Sequence, residues 1–182
     1  MEQRSANQLR SKLARKRQQV SPQGRTLALD LGKHCTGFAT FTGDKLLSYG
    51  KINLHVTSDG ALFFETYGAI NTLIRAHTPD RLVYEYGFAQ KGRALECFGV
   101  LATAVKALGH KNGLPVFVVY NSQIRRALDA NSKVYVTKRV NERFGLELET
   151  NTTSEDLNIG DAIGAGVAAQ ELLKAGKLTR SY

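Results

Sequence analysis

Arg25-Thr-Leu-Ala-Leu-Asp30-Leu-Gly32-Lys-His-Cys-Thr36-Gly37-Phe-Ala-Thr-Phe-Thr42 is the stretch on which the fold turns. It reads as a short apolar strand that delivers one carboxylate, Asp30, to its end, then a glycine turn and a second strand opening at Thr36-Gly37. Side chains alternate across a strand, so Leu27 and Leu29 share one face and Asp30 lies on the other. A single acid inside an apolar run is costly to bury unless a cation or hydrogen-bond donors meet it. As a plain turn residue Asp30 needs neither, and the rest of the chain has to decide.

Downstream, strands are expected at about 26–31, 36–42 and 45–53, the last two joined by a hairpin at Gly43-Asp44. Residues 59–77 carry Leu62, Phe63, Tyr67, Ile70 and Ile74 at helical spacing, and Pro79-Asp80 stops the helix. Arg81-Leu-Val-Tyr-Glu85 is a fourth strand that again ends in a carboxylate. A helix over 92–109 packs through Leu95, Phe98, Leu101, Ala102 and Val105. Leu114-Pro-Val-Phe-Val-Val-Tyr120 is a continuous apolar run, the pattern of a strand covered on both faces. Asn121-Ser122 caps a short helix, and a helix over 134–144 exposes Lys138, Arg139 and Arg143. The final helix, about 157–175, holds Gly164, Ala165, Gly166, Ala168 and Ala169, small side chains that let it lie close against a sheet. A strand meander followed by alternating helices and strands predicts a three-layer α/β arrangement.

Upstream, residues 1–25 hold seven basic side chains against the single acid Glu2, which is six of the chain's nine net positive charges. The segment has almost no large apolar residues and ends in Ser21-Pro22-Gln23-Gly24, so residues 1–24 are expected to form a basic arm and 25–182 one folded domain. A mitochondrial transit peptide is the competing reading of the arm. A net charge of +9 favours a polyanionic partner, with nucleic acid ahead of an anionic membrane surface. No apolar run approaches the ~18 residues that a membrane span needs. Cys35 and Cys97 are the two cysteines, too few for a disulfide framework or a cysteine-ligated zinc site. With no signal-peptide pattern, the expected location is cytoplasmic.

Three carboxylates stand where they can converge: Asp30 ends strand one, Glu85 ends strand four, and Asp161 falls in the first turns of the last helix. Acids gathered in one pocket repel one another unless a divalent cation sits among them. Hard oxygen ligands favour magnesium, with manganese as a substitute. Two such ions about 4 Å apart suit phosphodiester hydrolysis. The opposing reading leaves Glu85 and Asp161 as ordinary surface acids. The Asp30 motif is shared by metal-dependent nucleases of ribonuclease H-like fold and by actin-like phosphotransferases. The latter need a second Asp-Gly-Gly-Thr-like phosphate loop, which this sequence lacks.

Leu27-Ala-Leu-Asp30-Leu-Gly32 with Thr36-Gly37-Phe38 resembles the first motif of the RuvC-type Holliday junction resolvases. Glu85-Tyr-Gly-Phe88-Ala-Gln-Lys91 with Ala94-Leu95 resembles the second, and Asp161-Ala-Ile163-Gly-Ala the closing helix; together they span about residues 25–175. The resemblance implies a ribonuclease H-like three-layer α/β/α fold with a mixed five-stranded sheet. It implies a homodimer that resolves four-way DNA junctions by paired, magnesium-dependent nicks, with two ions per site. Asp30, Glu85 and Asp161 would be metal ligands and Phe88 the aromatic that meets unstacked bases. Lys138 falls where the family has a lysine near the scissile phosphate, with Lys133 as its competitor. Lys91, Arg93, Lys133 and Arg139 are the expected DNA contacts.

The chain departs from the family at three places. The family often has an acid three residues before the last one; that position is here Asn158, and the nearest acids are Glu155 and Asp156. Of these Asp156, otherwise a helix cap, is taken as the fourth metal ligand, with Glu155 and Asn158 as the alternatives. The loop Asp129-Ala-Asn-Ser-Lys133 lacks the usual glycines, and the basic arm fits a phage-encoded or divergent member. Two alternatives stay open: a non-catalytic nucleic-acid-binding protein of this fold, and a related nuclease acting on other branched DNA or on RNA.

Overall fold

The computed structural model describes residues 21–55, 58–87 and 92–181. Strands β1 (Arg25–Asp30), β2 (Cys35–Thr42) and β3 (Lys45–Asn53) form the expected meander. Helix α1 (Asp59–His77) leads to β4 (Arg81–Tyr86), α2 (Arg93–Asn112) to β5 (Val116–Tyr120), and then come α3 (Asn121–Ala127), α4 (Lys133–Phe144), α5 (Asp156–Lys174) and β6 (Thr179–Arg180). The sheet runs β3-β2-β1-β4-β5-β6, with β1, β4 and β5 parallel and β2, β3 and β6 antiparallel to their neighbours. Among the described residues it therefore has six strands rather than five. The sixth is two residues long, too short to leave a periodic signal, and Tyr84 Oη lies 2.8 Å from Ser181 Oγ beside it.

The alternation read from β1 sorts the two cores. Leu27, Leu29, Leu82 and Tyr84 pack with α1 and α2 on one face of the sheet. Ala28, Val83, Phe117 and Val119 pack with α3, α4 and α5 on the other. Fully burying each leucine contributes roughly 1.5–3 kcal/mol, so a one-residue slip of β1 would forfeit Leu27 and Leu29 together. Helix α5 lies against β1 and β2 because its contact positions lack bulk. An added Cβ at Gly166 would strike the Phe41 ring, and one at Gly37 of β2 would strike the Asn158 carbonyl.

Two expectations about α2 change. The helix runs through Gly109, which is buried, and stops at Gly113, whose φ of 65° is the left-handed conformation that ends helices. Leu95 is exposed rather than packed.

At the start of the domain, Arg81 is 1% exposed. Its guanidinium donates to Thr26 Oγ1, Ser21 O and Gly24 O, each at 2.6 Å, and so ties residues 21–24 to the sheet. This anchor lies at the end of β1 opposite Asp30. Residues 1–20, the bulk of the expected arm, lie outside the described residues.

Candidate active site

Parallel pairing of β1 with β4 matches Leu29 with Tyr84, so the next residues, Asp30 and Glu85, end their strands side by side. Both follow the alternation onto the α5 face. There α5 brings in Asp161, one helical turn after Asn158. One carboxylate oxygen from each of Asp30, Glu85 and Asp161 can be chosen so that all three lie within 4.8 Å of one another. Glu85 and Asp161 are buried, at 7% and 3% exposure, while Asp30 is half-buried.

The cluster is under electrostatic strain. Burial, then the neighbouring Asp30 and Asp161 charges, pushes the Glu85 carboxyl up to about 8. Burial and then Asp30 push Asp161 up to about 7. Asp30 is raised by burial, against the pull of Lys133. Glu85 Oε1 accepts from Asn121 Nδ2 at 3.0 Å, just beyond β5. Glu85 Oε2 and Asp161 Oδ1 are buried with no hydrogen-bond partner among the described residues. Unpartnered buried carboxylate oxygens cost several kcal/mol unless a cation meets them. An all-oxygen donor set of this charge fits magnesium or manganese.

A lysine stands at the edge of the cluster. Ser132 caps α4, its Oγ accepting from Tyr135 N at 3.4 Å, which makes Lys133 the first helical residue. Lys133 Nζ lies 2.8 Å from Asp161 Oδ2, 3.5 Å from Asp30 Oδ2 and 2.9 Å from Asn158 Oδ1. Burial opposes the ammonium, but the Asp30 and Asp161 carboxylates outweigh it and hold Lys133 above its ordinary value.

The other expected residues are placed as follows. Lys138 is exposed on α4 with Nζ 5.1 Å from the Tyr135 ring centre, so of the two competing lysines the structure brings Lys133 to the acids. Asp156 opens α5, but its Oδ2 accepts from Glu149 N at 3.1 Å and it does not join the three-acid cluster. Asn158, in the same helix, reaches the site through Lys133. Arg139 pairs with Glu142 at 2.9 Å and with Asp129 at 3.9 Å. Arg93 begins α2 and, with Lys33, lines a cleft formed by Leu31, Gly87, Cys97 and Phe98. That cleft adjoins the strand ends but does not contain the carboxylates. Phe88 and Lys91 lie outside the described residues.

Two neighbours of the site, Asn121 and Arg125, belong to no motif in the sequence. Asn121 reads there only as a helix cap, whereas it holds Glu85. Arg125 of α3 acts on Asp161 electrostatically, and its Nε is buried without a partner among the described residues. Tyr86 and Tyr120, at 39% and 44% exposure, pack with ring centres 5.5 Å apart on the other face of the sheet, where Tyr86 also meets the Phe98 ring at 5.3 Å.

No family model matches the sequence, and no curated protein matches it. Solved structures do. RuvC of Thermus thermophilus, determined in complex with Holliday junction substrate, superposes with a TM-score of 0.73 at 17% identity, covering 86% of this chain and 99% of that one. The yeast mitochondrial Holliday junction resolvase gives 0.60 at 15% identity over 92% of this chain and 90% of its own. The fowlpox virus resolvase, solved with substrate Holliday junction DNA, gives 0.52 at 13%, with 82% and 98% covered. The fold is the ribonuclease H-like fold of these proteins.

Proposed function

We propose that this chain is a metal-dependent endonuclease that resolves four-way DNA junctions by hydrolysing phosphodiester bonds. The observation that carries this reading is the convergence of Asp30 and Glu85 from two strand ends with Asp161 from α5, two of their buried oxygens being unpartnered among the described residues, in a fold shared with three junction resolvases. The net charge of +9 supports a polyanionic substrate.

Asp30, Glu85 and Asp161 hold magnesium or manganese, which when bound activates water and stabilises the leaving oxygen. Asn121 keeps one Glu85 oxygen engaged, so that the other faces inward. The Lys133 side chain, 41% exposed, holds a fixed positive charge at the solvent edge of the acids, beside the place of the reacting phosphate. Arg125, with its buried Nε, supplies a further positive charge behind Asp161. Phe88 stacks on an unpaired base near the crossover, and Lys91, Arg93 and Arg139 meet the backbone phosphates. The protein acts as a homodimer, as paired nicks across a junction require two sites, and works in the cytoplasm.

A gel assay tests this with synthetic four-way junction, linear duplex, flap and RNA–DNA hybrid, each with magnesium and with EDTA. Magnesium-dependent nicking of the junction in preference to the other three is the expected result. Equal cleavage of linear duplex, preference for the hybrid, or binding without cleavage under any divalent ion would refute it.

A further inference from the structure

The two sides of the carboxylate cluster are not equivalent. On one side, Glu85 Oε2 and Asp161 Oδ1 are buried and unpartnered among the described residues. On the other, Asp30 Oδ2, Asp161 Oδ2 and Asn158 Oδ1 all turn to the Lys133 ammonium, at 3.5, 2.8 and 2.9 Å. An ammonium has three N–H donors and no acceptor, so three oxygens from three residues use its capacity in full. We infer that each site holds one divalent ion, and that Lys133, seated by Asn158, permanently takes the place of a second. The inference rests on the nuclease reading above and specifies its metal requirement; it replaces the expectation of two ions.

Asn158 is the residue that decides it. It lies three residues before Asp161, on the same side of α5. A carboxylate there would draw a second divalent ion to the oxygens that Asp30 and Asp161 now present to Lys133. The asparagine lends one neutral oxygen instead, which suits an ammonium. Its orientation is set, because Asn158 Nδ2 donates to the Cys35 carbonyl at 3.3 Å and so turns Oδ1 toward Lys133. The Ser132 cap fixes the other end of the contact, since it makes Lys133 the first residue of α4 and so anchors the root of its side chain. Charge agrees with geometry. Three carboxylates are balanced by one divalent ion and one ammonium. A second divalent ion would expel Lys133 from three oxygens, gain no further carboxylate in return, and leave the protein's own side of the site positive with a tethered cation beside it. A lysine in this position makes one side of the reacting phosphate's charge balance independent of metal concentration.

The test is Mn2+ binding to the intact protein, by calorimetry for stoichiometry and electron paramagnetic resonance for spin coupling, alone and with a four-way junction. The wild-type chain should take up one Mn2+ with an uncoupled signal in both states. The double variant Lys133→Met, Asn158→Asp removes the ammonium and restores an acid, and should take up two ions that are spin-coupled. Circular dichroism checks that it folds, and Lys133→Met alone, with the neutral Asn158 retained, should remain at one ion. Two coupled ions in the wild-type protein with junction would overturn the inference while leaving the nuclease reading standing. No Mn2+ bound in either state would overturn both.

Discussion

Replacing Glu85 with Gln should stabilise the metal-free protein at alkaline pH and change it little in acid. In the native site the Glu85 carboxyl is pushed from 4.5 up to about 8, by burial first and then by Asp30 and Asp161. Below 4.5 the native and unfolded chains both hold the proton, and nothing is lost. Between 4.5 and about 8 the unfolded chain has released it while the native chain keeps it, so stability falls as pH rises through this window. Above about 8 the native chain carries the full cost of the charge. Glutamine has no proton to lose, so the variant escapes this decline. For charges 4.8 Å apart at an effective dielectric of about 20, one carboxylate pair costs about 3.5 kcal/mol. Lys133 offsets part of that and desolvation adds to it, so a gain of about 2–4 kcal/mol at about pH 9 is expected. For a chain of this length that is roughly 4–16 °C in Tm. Asp161, held up to about 7, adds a decline of the same sign and remains in both proteins. Thermal melts in EDTA from about pH 5 to about pH 9 measure the effect, repeated with excess magnesium. Magnesium should remove most of the parent's decline and help the variant less. A parent Tm that is flat across the range in EDTA, or a variant less stable than the parent at the alkaline end, would refute the reasoning.

Asp30→Asn should abolish cleavage while junction binding stays within a few-fold of the parent in a gel-shift assay; loss of folding or binding instead would mark Asp30 as structural. Removing residues 1–20 takes away six basic side chains, so binding to every DNA shape should weaken and the slope of log affinity against log salt should flatten by about 0.9 for each phosphate no longer neutralised. An unchanged slope would mean that the arm does not touch DNA. Asp156→Asn should keep near-parental cleavage, because the Asp156 carboxylate is engaged by the Glu149 N–H and an asparagine oxygen can accept there too; a collapse of metal-dependent cleavage with unchanged Tm would return Asp156 to the ligand set. Gly37→Ala should cost about 1–3 kcal/mol or more in thermal unfolding, since the new methyl meets the Asn158 backbone rather than a movable side chain.

The fold was legible because its decisive signals are local. The alternation of Leu27 and Leu29 against Asp30, the hairpin at Gly43-Asp44 and the helical spacing of Leu62, Ile70 and Ile74 each depend on residues a few positions apart. The boundaries of β3 and α1 match the structure at both ends. β6 escaped because two residues carry no period, and its pairing with β5 is made by chain that returns from the far side of the domain. The end of α2 escaped because Gly109 has the look of a stop, whereas packing against the sheet carries the helix past it to Gly113, whose φ is positive.

The site divides in the same way. Sequence alone determined that Asp30 and Glu85 end apolar strands and that Asp161 follows on a small-residue helix, because strand ends and helix faces are short-range properties. That these three meet was decided by the tertiary structure, through the parallel pairing of β1 with β4 and the close approach of α5 that Gly37 permits. The choice among basic and polar neighbours was decided there as well. In the sequence Lys138 holds the position that the resemblance favours and Lys133 competes from the loop before the expected helix, yet the start of α4 at Lys133 sends Lys133 to the acids and Lys138 over Tyr135. Asp156 and Asn158 are two apart on α5, and their helical angles send the first to the Glu149 backbone and the second to Lys133. A charge on a side chain is written in the sequence, but its partner depends on which surfaces are packed together, and that is a property of the whole fold.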